Sequence, residues 1–107
     1  MAFYMIQASY STSATASLIK TPQDRSAVVK AMIERADGKL HGFWLSFGEY
    51  DVVAIAEVPD NIGAAALAMA IGASGAMSAY RTTPLLSVAE SITAMKNAAA
   101  VAYQPPA

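Results

Sequence analysis

Residues 3 to 10, FYMIQASY, set Tyr4, Ile6 and Ala8 against Met5, Gln7 and Ser9. This is the two-residue period of a strand with one apolar and one mixed face. The next stretch, STSATASLIK, is rich in Ser and Thr and admits two readings, a loop or a weak helical turn. TPQDRSAVVKAMIERADG then predicts a helix, with Thr21 as N-cap, Pro22 at the first helical position, Asp24 in the first turn and Gly38 as the stop. Ala27, Val28, Met32, Ile33 and Ala36 would form its apolar stripe.

KLHGFWLSF (39 to 47) and DVVAIAEV (51 to 58) read as two strands joined by a tight loop containing Gly48. Pro59 ends the second. Asp60 is placed to cap a helix running to about residue 74, with Gly75 just past its end. MSAYRTTPLL (77 to 86) is a fourth strand interrupted by Pro84, and Ser87 with Glu90 has capping-box spacing ahead of a last helix. The order β-α-β-β-α-β plus a C-terminal helix predicts one α+β domain over residues 1 to 107. It would be a ferredoxin-like, four-stranded antiparallel sheet with helices on one face.

The hairpin decides what each face carries. With Gly48 and Glu49 as a two-residue turn, Phe47 opposes Tyr50, Ser46 opposes Asp51, Trp44 opposes Val53 and Gly42 opposes Ile55. His41, Phe43, Leu45, Phe47, Tyr50, Val52, Ala54, Ala56 and Val58 then face the helices. Leu40, Gly42, Trp44, Ser46, Asp51, Val53, Ile55 and Glu57 fall on the open side. A face with Trp44, Val53 and Ile55 together is an apolar patch that another subunit is expected to cover, with Arg81, Gln7 and Ser9 near the carboxylates.

Composition supports self-association as the means of covering that patch. Of the residues, 55% are hydrophobic and 14% charged, which leaves a small domain short of polar cover. Seven Lys and Arg against eight Asp and Glu, scattered along the chain, provide no field for nucleic acid. The absence of cysteine excludes disulfides and thiolate chemistry and fits a cytoplasmic location. No signal peptide is expected at the N-terminus. The most apolar run, of about 16 Ala- and Gly-rich residues, is shorter than a bilayer span, so no membrane partner is expected.

The stretch GKLHGFWLSFGEYDVVAIAEVPDNIGAAALAMAIGASGAM resembles the GYD domain family, whose signature corresponds here to Gly48, Tyr50 and Asp51 with Glu49 interposed. Gly38, Lys39, Phe43, Pro59, Asp60 and Gly75 also fall on the family pattern. TPQDR resembles its helix start and RTTPLL its Arg-Thr strand, so that the resemblance spans about residues 20 to 86. It implies a dimeric α/β-barrel type of fold in which the sheets of two subunits meet. Relatives by fold include cofactor-free monooxygenases, small-molecule degraders and ligand-sensing domains, and such analogy leaves the activity open.

The chemistry-bearing residues are few. His41 is the one histidine, and with no cysteine there is no metal-ligand spacing; neither a metal nor another cofactor is expected. A Ser-His-Asp arrangement would need His41 and Asp51 on one face, which the preferred register denies. His41 reads either as a hydrogen-bonded strand histidine or as a proton-transfer residue. GASGA (72 to 76) follows a helix and reads as its terminator, not as a phosphate loop, and Met69 and Met77 as core or interface filling. Asp51 is either a short acceptor tying backbone N–H groups at the start of its strand, or a general base or ligand anchor. Tyr50 and Tyr80 are possible hydroxyl donors, although strand tyrosines more often pack. Three functions remain open: a homo-oligomeric small-molecule binder using Trp44, Asp51, Arg81 and Gln7; a cofactor-free monooxygenase or isomerase using Asp51 or His41; and a structural assembly module.

Overall fold

A computed structural model describes residues 1–107. The elements are β1 (Ala2–Tyr10), α1 (Thr12–Lys20), α2 (Ser26–Arg35), β2 (Lys39–Leu45), β3 (Val52–Val58), α3 (Asn61–Ala73), β4 (Met77–Leu85) and α4 (Val88–Ala99). The strands form one antiparallel sheet in the order β2-β3-β1-β4. This is the α+β, ferredoxin-like arrangement that the element order predicts.

The core lies between one sheet face and the helices α2 and α3. Tyr4, Ala56 and Val58 from the central strands meet Ile33 of α2 and Ala64 and Leu67 of α3, with Ile6, Val29, Met32 and Leu40 packed around them. Alternation along β3 is clean: Val52, Ala54, Ala56 and Val58 are buried while Val53, Ile55 and Glu57 are not. The packing face of α2 is Val29, Met32, Ile33 and Ala36, whereas Ala27 and Val28 are exposed. The expected stripe is therefore rotated about the helix axis.

That rotation has a local cause. α1 exists as a nine-residue helix, because Ser11 caps it by accepting from the Ala14 N–H at 3.2 Å. Thr21 closes α1 instead of opening α2, and Asp24 opens α2 by accepting from the Ser26 N–H at 2.8 Å and the Ser26 hydroxyl at 2.5 Å. Pro22 lies in the connection between the two helices. At the other end of α2, Asp37 takes the left-handed conformation (φ 59°) while the Gly38 N–H reaches back to the Ile33 carbonyl at 2.9 Å. Gly38 serves close approach: a Cβ there would run into the Glu57 carbonyl oxygen and lie 2.7 Å from Val58 Cγ1.

Asp60 caps α3 by accepting from the Gly63 N–H at 3.0 Å, and Gly75 (φ 74°) follows its last turn. β4 continues through Pro84, which an edge strand tolerates because one side of its backbone needs no partner. Ser87 and Glu90 form the expected capping box at the start of α4. α4 projects from the body, outside the packing that joins the other elements, and leaves Val88, Ile92 and Met95 exposed. The Cα radius of gyration is 17.1 Å, against about 13 Å for a compact chain of this length.

The hairpin keeps the expected register from Gly42 to Leu45, and the Ser46 N–H donates to the Asp51 carbonyl at 2.7 Å. Two faces differ from expectation. A bulge between Leu40 and Gly42 shifts the pairing by one residue, so Leu40 turns into the core and His41 to the open side, the reverse of the regular alternation. Phe47 belongs to the loop and is fully exposed, not part of the core.

Candidate functional site

Because the register is fixed on both sides of β1 and β3, the open face can be read row by row. Trp44 opposes Val53, Val53 opposes Gln7 and Gln7 opposes Arg81. Three of the four residues proposed as ligand contacts thus stand in one row across all four strands, about 14 Å from end to end at normal strand spacing. The neighbouring row is Gly42, Ile55, Met5 and Thr83. The face is an apolar floor with an amide in the middle, a guanidinium at one edge and an indole at the other. Arg81 has no carboxylate within ion-pair distance; the ion pairs of the chain are Lys30–Glu34 and His41–Glu57.

Trp44 is held by its neighbour two residues back. Its ring lies over Gly42, where any Cβ would collide with the indole carbons, and 56% of the residue stays exposed. A glycine at this position is what allows the ring to lie flat along the strand.

His41 and Glu57 form a second feature on the same face. His41 Nε2 lies 2.9 Å from Glu57 Oε1, and its ring packs 4.9 Å, centroid to centroid, from Phe3. The bulge creates this cluster by turning His41 outward onto the side where Glu57 and Phe3 already point. Asp51 does not join it: it precedes Glu57 of β3 by six positions along the chain, roughly 20 Å in an extended strand. A catalytic pairing of His41 with Asp51 is excluded by distance, not by the opposite faces that regular alternation predicts.

Asp51 is engaged with the backbone. Its Oδ2 accepts from the Tyr10 N–H at 3.0 Å and its own N–H donates to the Ala8 carbonyl at 2.9 Å, where β1 pairing shifts beside Tyr10. Around it the hairpin loop is tied down by the Ser46 hydroxyl donating to the Tyr50 carbonyl at 2.5 Å and the Ser9 hydroxyl donating to the Glu49 carbonyl at 3.2 Å. Asp51 therefore sits one row beyond Gln7 and Arg81, bound to main chain and not to arginine. Tyr80 is on the helix-covered face, opposite Ala8, where burial raises its hydroxyl pKa above the ordinary tyrosine value and keeps it protonated.

The helix-covered side carries a feature that sequence patterning passes over. At the Tyr10 end of the sheet a cleft of about 520 Å³ opens between β2 and the connection from α1 to α2, with Tyr10, Arg25 and Phe43 among its walls. Tyr10 stands in no motif, and Arg25 falls in TPQDR, read as a helix start and not as part of a site. The available signal was Arg25 in TPQDRS, a cation in a connection with no acidic partner at helical spacing.

Fold and faces together define a class: α+β proteins built on one antiparallel sheet, helices on one side and a mixed apolar and polar face on the other. Within that class the chain belongs to the GYD domain family, whose model matches residues 4–95. The match extends the 20 to 86 span carried by the sequence motifs, taking in most of β1 and most of α4. A comparison with curated proteins finds no match. No three His, Asp or Glu side chains come together as a metal cluster, and no helix is long and apolar enough to cross a membrane.

Proposed function

We propose that this protein is a small-molecule binding protein that works as a homo-oligomer, with a second copy covering the open sheet face and a ligand held over the row Trp44, Gln7 and Arg81. The observation that carries this reading is the row itself: an unpaired guanidinium, an amide and an indole aligned on an apolar floor that the chain leaves uncovered. Trp44 would supply an apolar wall, Gln7 a neutral donor and acceptor, and Arg81 an anchor for a carboxylate or phosphate group. Asp51 would shape the end of the site through the Tyr10 N–H.

The surface area argues for the second copy. The chain exposes 7455 Å² and buries nine residues, whereas a compact monomer of 11.1 kDa exposes about 5,700 Å². The excess is comparable with the area one subunit contributes to a large interface. The open face and the projecting α4 stripe are the surfaces that association would remove from water. Cysteine-free composition fits a reducing compartment, and the cytoplasm is the proposed location.

Native mass spectrometry of the protein purified from its own host tests this reading. A multimer carrying a small compound, lost in Arg81→Gln, supports it. A multimer without any compound favours an assembly module, and a monomer rejects it. A second reading, a cofactor-free enzyme, rests on the His41–Glu57 pair: a carboxylate 2.9 Å from Nε2 can orient the imidazole for proton transfer. His41→Asn abolishes turnover under that reading and leaves ligand retention unchanged under the first. Asp51→Asn separates charge from architecture, because Asn retains an acceptor for the Tyr10 N–H.

A further inference from the structure

Tyr10 is common to three cavities at one end of the helix-covered side. Tyr10 lines the cleft of about 520 Å³, a chamber of about 220 Å³ between α2, α3 and the start of β4, and a wholly apolar cavity beneath α2 and α3. Arg25 lines the first two. The walls beyond them are mainly apolar, Leu18 and Phe43 in the cleft and Met32 and Met77 in the chamber, with Gln23 and Asp24 as polar members of the cleft and Ser74 of the chamber. The cleft alone has room for a ring system of two or three fused or linked rings.

Polar groups converge at one point of this space. Arg25 is half-buried, donates from Nη1 to Gln23 Oε1 at 3.1 Å and has no carboxylate within ion-pair distance. Asp24, the nearest acidic residue in sequence, directs one carboxylate oxygen to the Ser26 N–H and hydroxyl, and Asp51 is bound to the Tyr10 N–H. Burial raises the Tyr10 hydroxyl above its ordinary pKa, an effect that Asp51 reinforces and the Arg25 charge opposes, so the hydroxyl remains a donor at neutral pH. A cation with free donors and a protonated phenol, backed by an apolar recess, is complementary to a flat apolar acid.

We infer that the cleft bounded by Tyr10 and Arg25 is a binding site for a small aromatic acid, its acidic group on Arg25 and Tyr10 and its rings against Phe43 and Leu18. The site lies apart from Gln7 and Arg81 and meets the open-face row only at Trp44, which borders the cleft; all of its walls come from one chain.

A matched pair of fluorescent probes tests it: 8-anilinonaphthalene-1-sulfonate, an aromatic anion, and N-phenyl-1-naphthylamine, the same ring system without the charge. The wild-type chain binds one anion per chain, at least tenfold more tightly than the neutral probe. Arg25→Gln weakens the anion at least tenfold and leaves the neutral probe within twofold, Arg25→Lys retains most of the anion binding, and Tyr10→Phe weakens it severalfold. Arg81→Gln changes neither. Equal affinity for the two probes, no effect of Arg25→Gln in a chain whose far-ultraviolet circular dichroism is unchanged, or loss of anion binding in Arg81→Gln instead would each overturn the assignment.

Discussion

Replacing Trp44 by Ser removes the largest exposed apolar group of the open face and leaves the strand intact. With 56% of the residue exposed in a single chain, and about 250 Å² of surface on a Trp side chain, a covering subunit removes about 140 Å² from water. At 25 cal/mol per Å² this contributes at most about 3.5 kcal/mol per copy, and because both copies of a dimer carry the substitution, up to about five orders of magnitude in its dissociation constant. Sedimentation equilibrium over a concentration series measures the change, with far-ultraviolet circular dichroism to show that the sheet persists. Leu45→Ser is the internal control. Leu45 is 71% exposed on the same strand but points to the opposite face, so its loss leaves association unchanged. An association constant in Trp44→Ser equal to that of the wild type, or an equal loss in Leu45→Ser, refutes the assignment of the open face as the interface.

Three other perturbations test the account at different levels. Gly38→Ala forces a methyl group against the Glu57 carbonyl and Val58, neither of which can swing away; chemical denaturation is expected to show a loss of about 2 kcal/mol or more, and an unchanged midpoint would count against the packing described. Gly42→Ala meets only the far end of the Trp44 ring, so stability falls by about 1 kcal/mol at most while Trp44 emission shifts as the indole is displaced; no spectral change would show that the ring does not lie over Gly42. Hydrogen bonds from the Ser87 N–H and hydroxyl hold the Glu90 carboxyl below the ordinary glutamate pKa, so its stabilisation of α4 is complete above that range and disappears as the pH falls through the lowered value. Helicity measured by circular dichroism should therefore drop on acidification more in the wild type than in Glu90→Gln, and superimposable titrations would contradict the capping box.

Much of this architecture is legible in the chain because local signals and global fold agree. Asp60 with Gly75, Ser87 with Glu90, and the alternation from Val52 to Val58 each specify an element without outside help, and the observed caps and strand bear them out. The errors fall where a distant contact decides. Nothing in KLHGFWL marks His41 as an extra residue; the bulge depends on Leu40 finding the core and His41 finding Glu57 and Phe3. α1 is ambiguous because five of the ten residues from Ser11 to Lys20 are Ser or Thr, so its cap does not stand out from its interior. Once α1 ends at Thr21, α2 begins later and its packing face turns with it. Period two carries Trp44, Gln7 and Arg81 to the open side, whereas their alignment in one row depends on the β1–β3 and β1–β4 registers. The Tyr10 and Arg25 cleft is not legible in the chain, because it joins a strand end to an irregular connection whose path no periodicity describes.

Trp44 also provides the most direct measurement of the central claim, because it is the one tryptophan in the chain and stands on the proposed interface. Collisional quenching of its fluorescence by iodide, followed over a dilution series, reports whether the open face is covered. The account predicts a shielded, blue-shifted emission at micromolar concentration that becomes red-shifted and quenchable as the oligomer dissociates. An emission as accessible as that of a solvent-exposed indole at every concentration would contradict it.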